Sequence, residues 1–403
     1  MVNRMLPKAF LMAKPVLEHI EKHNHQAYFV GGCVRDLLLN RPLGDIDIAT
    51  SASPEYIQEI FPKVIPVGIE HGTVIVRYEK ESYEVTTFRM DGNYSDKRHP
   101  DTVQFIDKID KDLERRDFTI NALAMNLRGD MIDLFGGKED IQKEIIRTVG
   151  NGYERFTEDP LRIIRALRFS SQLGFTIHPE TLDDIKLVRH EIKSLAMERI
   201  TNEFTKLFAG TYITTGIQYV KNLEIGKFLP VFSDFPDIIN LIPSTMKPLK
   251  SFGEVITLLH LLKPEVTINH WVTKWKCSNK TKFEASQLLE AYKHYTVNGL
   301  DNMLVYRLRP EFYAGFVRLV HILEDTSVSM QQMVMIENKL EIYQKSDLAI
   351  NGHDLIELFP ERKKGPWLNH VINQIEQEVV TGKLMNNKNV IKDWVKWNPP
   401  AID

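Results

Sequence analysis

The sequence predicts an α+β protein in which a small N-terminal sheet unit precedes a long helical region. Three observations carry this. Short apolar and β-branched runs are concentrated before Gly150. Beyond Gly150, apolar residues recur mostly at helical spacing. Pro, Gly and Asn fall between those segments, so the elements are separate units rather than one continuous rod.

The first expected strand is Ala27 to Val30, a short apolar run that ends in Gly31-Gly32. Cys33 to Leu39 then reads as a helix. Ile46 to Ala49 is a second short strand. Thr73 to Tyr78 alternates and is rich in β-branched residues, and Ser82 to Phe88 does the same. Met131 to Phe135 is a late strand. Met90 to Thr102 is polar, with Gly and Pro and no period, and is expected to be a mobile functional loop. Helices are expected at Leu161 to Leu173, Glu180 to Leu195 and Arg199 to Leu207, and over most of the remaining chain. No period of 20–50 residues is visible, so no solenoid is expected.

Composition narrows the class. Of 403 residues, 43% are hydrophobic and 26% charged, which suits a globular protein with a sizeable core. No apolar run has the ~20 residues of a membrane helix. No secretory signal is read at the start. Two cysteines, Cys33 and Cys277, argue against a disulfide framework and fit a reducing cytoplasm. The net charge of -3 does not announce a nucleic-acid partner, but a local basic surface needs no global excess.

The chemistry begins at Gly31-Gly32. A strand, a glycine turn and a helix start can hold a phosphate, because glycine lets the backbone come close and the first amides are unpaired. Arg35 is placed to reach the same anion as a forked donor. Gly-Gly alone is also an ordinary strand-to-helix turn. Asp45-Ile46-Asp47 comes about a dozen residues later. On a strand, residues two apart face one way, so both carboxylates would project together. Such a pair is costly without a cation, and magnesium prefers oxygen ligands and binds triphosphate oxygens. An isolated Asp-x-Asp is more often a solvated turn; the position after the glycine turn reverses that. Glu84, on the expected strand Ser82 to Phe88, is the candidate third carboxylate, with an exposed strand residue as the alternative.

The order Gly31-Gly32-x-x-Arg35-Asp36, Asp45-x-Asp47, Arg115-Arg116-Asp117-Phe118-Thr119-Ile120-Asn121-Ala122, Asp133-Leu134-Phe135-Gly136-Gly137 and Glu158-Asp159-Pro160-Leu161-Arg162 resembles the bacterial class II CCA-adding tRNA nucleotidyltransferases. The bacterial poly(A) polymerases share most of it. The likeness continues through Arg199-x-x-x-Glu203-x-x-Lys206 and reaches Gly365-Pro366-Trp367. It implies a polymerase-beta-like head over residues 1–150, a helical neck over 151–210, a helical body over 211–300 and a tRNA-binding tail over 301–403. It also implies template-independent addition of CCA to the tRNA 3′ end from CTP and ATP, with pyrophosphate released.

The same resemblance implies roles for individual residues. Asp45 and Asp47, with Glu84 beside them, hold Mg2+. Gly32, Arg35, Arg116, Arg165 and Arg168 contact the nucleotide. Asp159 and Arg162 read its base. Cytosine and adenine each present an exocyclic amine beside a ring-nitrogen acceptor. A carboxylate that accepts beside a guanidinium that donates therefore suits both and leaves uracil and guanine unpaired. Plain helix capping with an i,i+3 ion pair is the alternative for these two. Phe118 and Ile120 are expected in the core, and Asn121 near the site. Asp133 to Gly137 is implied as a hinge. The Met90 to Thr102 loop resembles the family's flexible loop for adenine addition, with His99 where the family has a second arginine after Arg98.

In the tail, Lys363, Lys364, Lys383, Lys388 and Lys392 are candidates for phosphate contact, with ordinary surface as the alternative, while Trp367, Trp394 and Trp397 are expected in core or interface packing rather than base stacking. The chain has no strongly basic terminal extension, which favours CCA addition over poly(A) synthesis. A non-catalytic RNA-binding protein would have lost an acidic ligand, and a small-molecule transferase would not need the helical region. Monomer and homodimer both remain open.

Overall fold

The computed structural model describes residues 6–92, 94, 97, 101–324, 326 and 328–399. It divides into two compact units, Met1–Asn240 and Leu241–Asp403.

The first unit opens with α1 (Lys8–Lys22), then β1 (Ala27–Val30), α2 (Gly32–Leu38), β2 (Asp47–Thr50) and α3 (Pro54–Ile60). Then come β3 (Val64–Gly68), β4 (Thr73–Tyr78), β5 (Glu81–Thr87), β6 (Arg89–Asp91), β7 (Val103–Phe105), α4 (Ile109–Glu114), β8 (Leu123–Met125), β9 (Met131–Asp133) and α5 (Gly137–Gln142). Seven of these strands form one sheet in the order β3-β4-β5-β2-β1-β8-β9. All its neighbours are antiparallel except β2 and β5, which run parallel. β6 and β7 form a separate antiparallel ribbon at the base of the Met90 to Thr102 segment.

Alternation along β1 explains its two neighbours. Phe29 points to α1, where it meets Phe10 edge-on with ring centroids 4.9 Å apart. Val30 points the other way, into a core shared with Ala49, Phe88, Ala122, Ala124 and the α4 residues Ile109 and Leu113. Phe118 and Ile120 are fully buried, as expected.

The first unit continues through α6 (Gly152–Glu158), α7 (Leu161–Leu173), α8 (Pro179–Val188), α9 (Met197–Phe208) and α10 (Ile213–Asn222). α7 buries Ile163, Ile164, Ala166, Leu167 and Phe169 and packs against both α9 and α10. Its end at Gly174 is set by a left-handed backbone, φ 80°.

The second unit is helical throughout its regular structure among the described residues; its longest helix is Asn279–Asn298. Trp271 and Trp275 are buried in its core. Glu254, almost fully buried, accepts from Nε and Nη2 of Arg318, each at 2.8 Å, so the charge is paired where water is excluded. No helix among the described residues is long and apolar enough to cross a membrane.

Candidate active site

The sheet order brings the phosphate turn and the acidic residues together. β1 and β2 are antiparallel with Phe29 opposite Ile48, so the end of β1, where Gly31 turns the chain, lies beside the start of β2 at Asp47. Gly31 has φ 73°, a conformation that favours glycine. A Cβ there would also lie 2.7 Å from Nη1 of Arg116. Glycine therefore serves the turn and lets Arg116 lie across it.

β2 and β5 run parallel with Asp47 opposite Glu84, so the two carboxylates share one face of the sheet. Asp45 differs from expectation. The strand begins at Asp47, not at Ile46, and Asp45 sits in the irregular segment before it, exposed. Among the described residues it does not line the cavity that Asp47 and Glu84 line. Its charge still reaches Asp47. Burial raises the Asp47 carboxyl first, Glu84 and Asp45 raise it further, and Arg116 opposes them; the result is pushed up to about 6. Like charges facing one another with too little compensation suit a divalent cation with oxygen ligands. Among the described residues no three His, Cys, Asp or Glu side chains converge as a complete metal site. Oxygens of a bound triphosphate would have to complete the coordination.

The cavity has a volume of about 570 Å³. Its lining holds eight arginines (Arg35, Arg89, Arg115, Arg116, Arg162, Arg165, Arg168, Arg199) against four carboxylates (Asp47, Glu84, Asp117, Asp159). A chain of net charge -3 thus concentrates positive charge where an anion would sit. Gly32, Arg35, Arg116, Asp159, Arg162, Arg165 and Arg168, all singled out from sequence, line it together.

These arginines are held by a chain of polar contacts. Nη1 of Arg35 donates to Oδ1 of Asn121 at 2.7 Å, and Nδ2 of Asn121 donates to Oδ1 of Asp117 at 3.1 Å. The other Asp117 oxygen accepts from Nε of Arg165 at 2.8 Å. Burial alone would raise the Asp117 carboxyl; Arg165 and the Asn121 amide override it and bring it down to about 2. Arg168 pairs with Glu203 of α9 at 2.8 Å. Arg116 reaches the buried Asp112, one helical turn back, at 3.3 Å.

Asp159 and Arg162 lie one turn apart at the start of α7, but each has another partner. Both oxygens of Asp159 are engaged by Arg199 of α9, at 3.2 and 2.8 Å. Oδ1 of Asp159 also accepts from the Leu161 amide, so the expected capping role is present alongside. Nη1 of Arg162 donates to Glu158 at 2.7 Å, and Nη2 to the Arg115 carbonyl oxygen at 3.3 Å. Each side chain is oriented by a neighbour while it lines the cavity.

Sequence reasoning missed the cavity role of Arg89, Arg115 and Arg199. For Arg199 a signal existed: Arg199-x-x-x-Glu203 puts both groups on one face of α9, and that face meets α7. Lys97 of the Met90 to Thr102 loop pairs with Glu191, while Arg98 and His99 lie outside the described residues. Gly137 and Lys138 donate their amides to Asp133, which caps α5.

The tail candidates belong to the second unit. Lys363, Lys364, Lys383 and Lys388 are exposed, with Lys388 paired to Asp354 at 2.7 Å; Lys392 is half-buried. Trp367 packs as expected, edge-on to Phe359. Trp397 is not in the core; it is 86% exposed, at the last residue of its helix.

Comparison with known proteins identifies the family. Residues 27–147 match the family model described as Poly A polymerase head domain, and residues 251–395 match the model for tRNA nucleotidyltransferase domain 2. The chain is 48% identical to a CCA-adding enzyme of Oceanobacillus iheyensis, covering 98% of this chain and 99% of that one. It is 40% identical to a CCA-adding enzyme of Enterococcus faecalis over 97% of both. The crystal structure of the Bacillus stearothermophilus CCA-adding enzyme in complex with CTP superposes with a TM-score of 0.87 at 34% identity, covering 98% of each chain. The chain therefore belongs to the CCA-adding enzyme family and is a nucleotidyltransferase.

Proposed function

We propose that this protein adds C, C and A in turn to the 3′ end of tRNA, using CTP and ATP and no nucleic-acid template. The observation that carries the reading is that one cavity brings two sets of groups together. Its sheet wall presents Asp47 and Glu84 from β2 and β5, and its helix wall presents Asp159 and Arg162 at the start of α7 among arginines. The tRNA 3′-hydroxyl oxygen attacks the α-phosphorus. The bond to the β-phosphate oxygen breaks, and pyrophosphate leaves.

Nucleotidyltransferases of this family generally use a divalent metal ion. Mg2+ is the ion proposed here, with Asp47 and Asp45 as ligands and Glu84 beside them. When bound it lowers the barrier by stabilising charge on the attacking and leaving oxygens. Arg35, Arg116, Arg165 and Arg168 hold the triphosphate with Gly32. Asp159 accepts from the exocyclic amine of cytosine or adenine, and Arg162 donates to the neighbouring ring nitrogen. Because Arg199 and Glu158 already orient these two groups, base choice needs little ordering at the moment of binding. Lys363 and Lys364 contact tRNA phosphates. The proposed division is head 1–150, neck 151–210, body 211–300 and tail 301–403, and the site of action is the cytoplasm.

The test is a tRNA transcript lacking its CCA end, given Mg2+ and each labelled triphosphate alone or CTP with ATP. Two C, then one A, and then arrest, is the expected product. Long A tails would instead establish a poly(A) polymerase, and absence of incorporation on any RNA would end the enzymatic reading.

A further inference from the structure

Phe169 is a buried aromatic residue on α7, 4% exposed, that lines the cavity. Three guanidinium groups lie over its ring. Arg168 is 4.2 Å from the ring centroid, Arg35 is 5.1 Å and Arg165 is 5.5 Å. All three distances are within cation–π range. The ring itself is fixed from behind. Phe118, fully buried, meets it edge-on at 5.7 Å with an interplanar angle of 84°.

The arrangement sets a physical problem. Three like charges gather before any ligand arrives. Each has a carboxylate: Asp36 for Arg35, Asp117 for Arg165 and Glu203 for Arg168. Those acids sit on different elements, and although Glu203 also reaches Arg165 at 4.0 Å, none of them is ion-paired with all three arginines. The surface common to all three is the Phe169 ring. Burial first, then the Arg165 charge and last that of Arg35, opposed by Glu203 and Asp117, bring the Arg168 guanidinium down to about 10.

We propose that Phe169 is a positioning residue for the nucleoside triphosphate, because its π-face gathers Arg35, Arg165 and Arg168 into one anion-binding cluster before the phosphates bind. The inference rests on the reading that these arginines hold the triphosphate. A ring that pre-places them removes ordering that binding would otherwise require. It acts on the phosphates, which every nucleotide shares, and not on the base. An aliphatic residue of similar volume would fill the same space but give the guanidiniums no negative face.

The test separates volume from π-character. Phe169→Leu and Phe169→Met keep apolar bulk, while Phe169→Tyr keeps the ring. Each is assayed for KM and kcat with CTP and with ATP, for CTP-over-UTP preference, and for inhibition by inorganic tripolyphosphate at fixed free Mg2+. Thermal unfolding is recorded for each, and Met stands in if Leu lowers Tm. The apolar variants are expected to raise KM for both nucleotides roughly fivefold, a loss of one cation–π contact's worth, and to weaken tripolyphosphate inhibition by the same factor. Base preference and kcat stay within about twofold, and Tyr restores all values.

An apolar variant with unchanged KM and unchanged tripolyphosphate inhibition overturns the proposal. So does a Tyr variant as impaired as Leu at equal Tm. Arg168→Ala is run alongside. If it raises KM while Leu does not, the arginine reading stands and only the role of Phe169 falls. If neither moves KM, both fall together.

Discussion

Two aspartates line the same cavity and are shifted in opposite directions. Burial opposes ionisation of both. At Asp117 the surroundings answer with Arg165 and the Asn121 amide, and the carboxyl falls to about 2. At Asp47 they answer with two more carboxylates, and only Arg116 opposes; the carboxyl rises to about 6. The Asp117 wall is complete in itself and orients arginines. The Asp47 wall is incomplete and calls for a cation. One pocket thus holds one carboxylate whose charge is compensated and one whose charge is not.

Removing the Asp47 charge should separate the walls most sharply. Asp47→Asn should cut nucleotide addition by about 10³-fold or more, the scale of losing metal-assisted charge stabilisation. The same variant should be more stable than the parent in EDTA, by about 1–2 kcal/mol in denaturant unfolding at pH 7.5. The sign comes from the raised carboxyl. Its ionised form costs native stability once pH passes from about 4 to about 6, and asparagine never ionises. A less stable Asn variant would mean that the carboxylate is already compensated.

Asp117→Asn should behave in the opposite way. Its depressed carboxyl contributes stability above about pH 4 that is lost as pH falls towards 2. Removing the charge should lower stability at pH 7.5 by about 2–4 kcal/mol, because Arg165 loses its nearest acid. It should also flatten acid unfolding between pH 4 and 2. Unchanged acid unfolding would contradict the assignment.

A milder effect is expected in the second unit. Replacing Lys363 and Lys364 together by Ala should reduce the slope of log affinity for tRNA against log salt by about 1–2, with little change in KM for CTP. An unaltered slope would remove both lysines from the RNA contact.

Parts of the fold were legible in the sequence for definite reasons. Thr73–Tyr78 alternates cleanly, and its strand has those bounds. Leu161–Leu173 carries one apolar face and ends at Gly174, and its helix has those bounds too. Other elements were hidden. β3 contains Pro66, which reads as a breaker but is tolerated because β3 is the edge of the sheet. α1 carries Pro15 in its interior, which masks its period. β8 is three wholly buried residues with no alternation to read.

The site shows the same division. Gly31, Arg35 and Asp47 could be singled out because local spacing carries their chemistry, and Arg162 through the likeness to a known family. The Asp159–Arg199 pair could not, since it exists only where α9 packs on α7. The expected strand Ile46 to Ala49 starts at Asp47, one residue later, so Asp45 lies in the irregular segment before it, which the sequence pattern did not separate from the strand.

Whether the two walls divide the work can be decided by one assay on two variants. Asp47→Asn and Asp159→Asn are each given CTP, ATP, UTP and GTP separately, with tRNA lacking its CCA end. If the walls divide the work, the Asp47 variant loses CTP and ATP incorporation in proportion, with their ratio unchanged. The Asp159 variant keeps residual addition but loses its preference for C and A over U and G by roughly 10²-fold. An Asp47 variant with altered base choice, or an Asp159 variant that lowers all four nucleotides equally, would contradict the division.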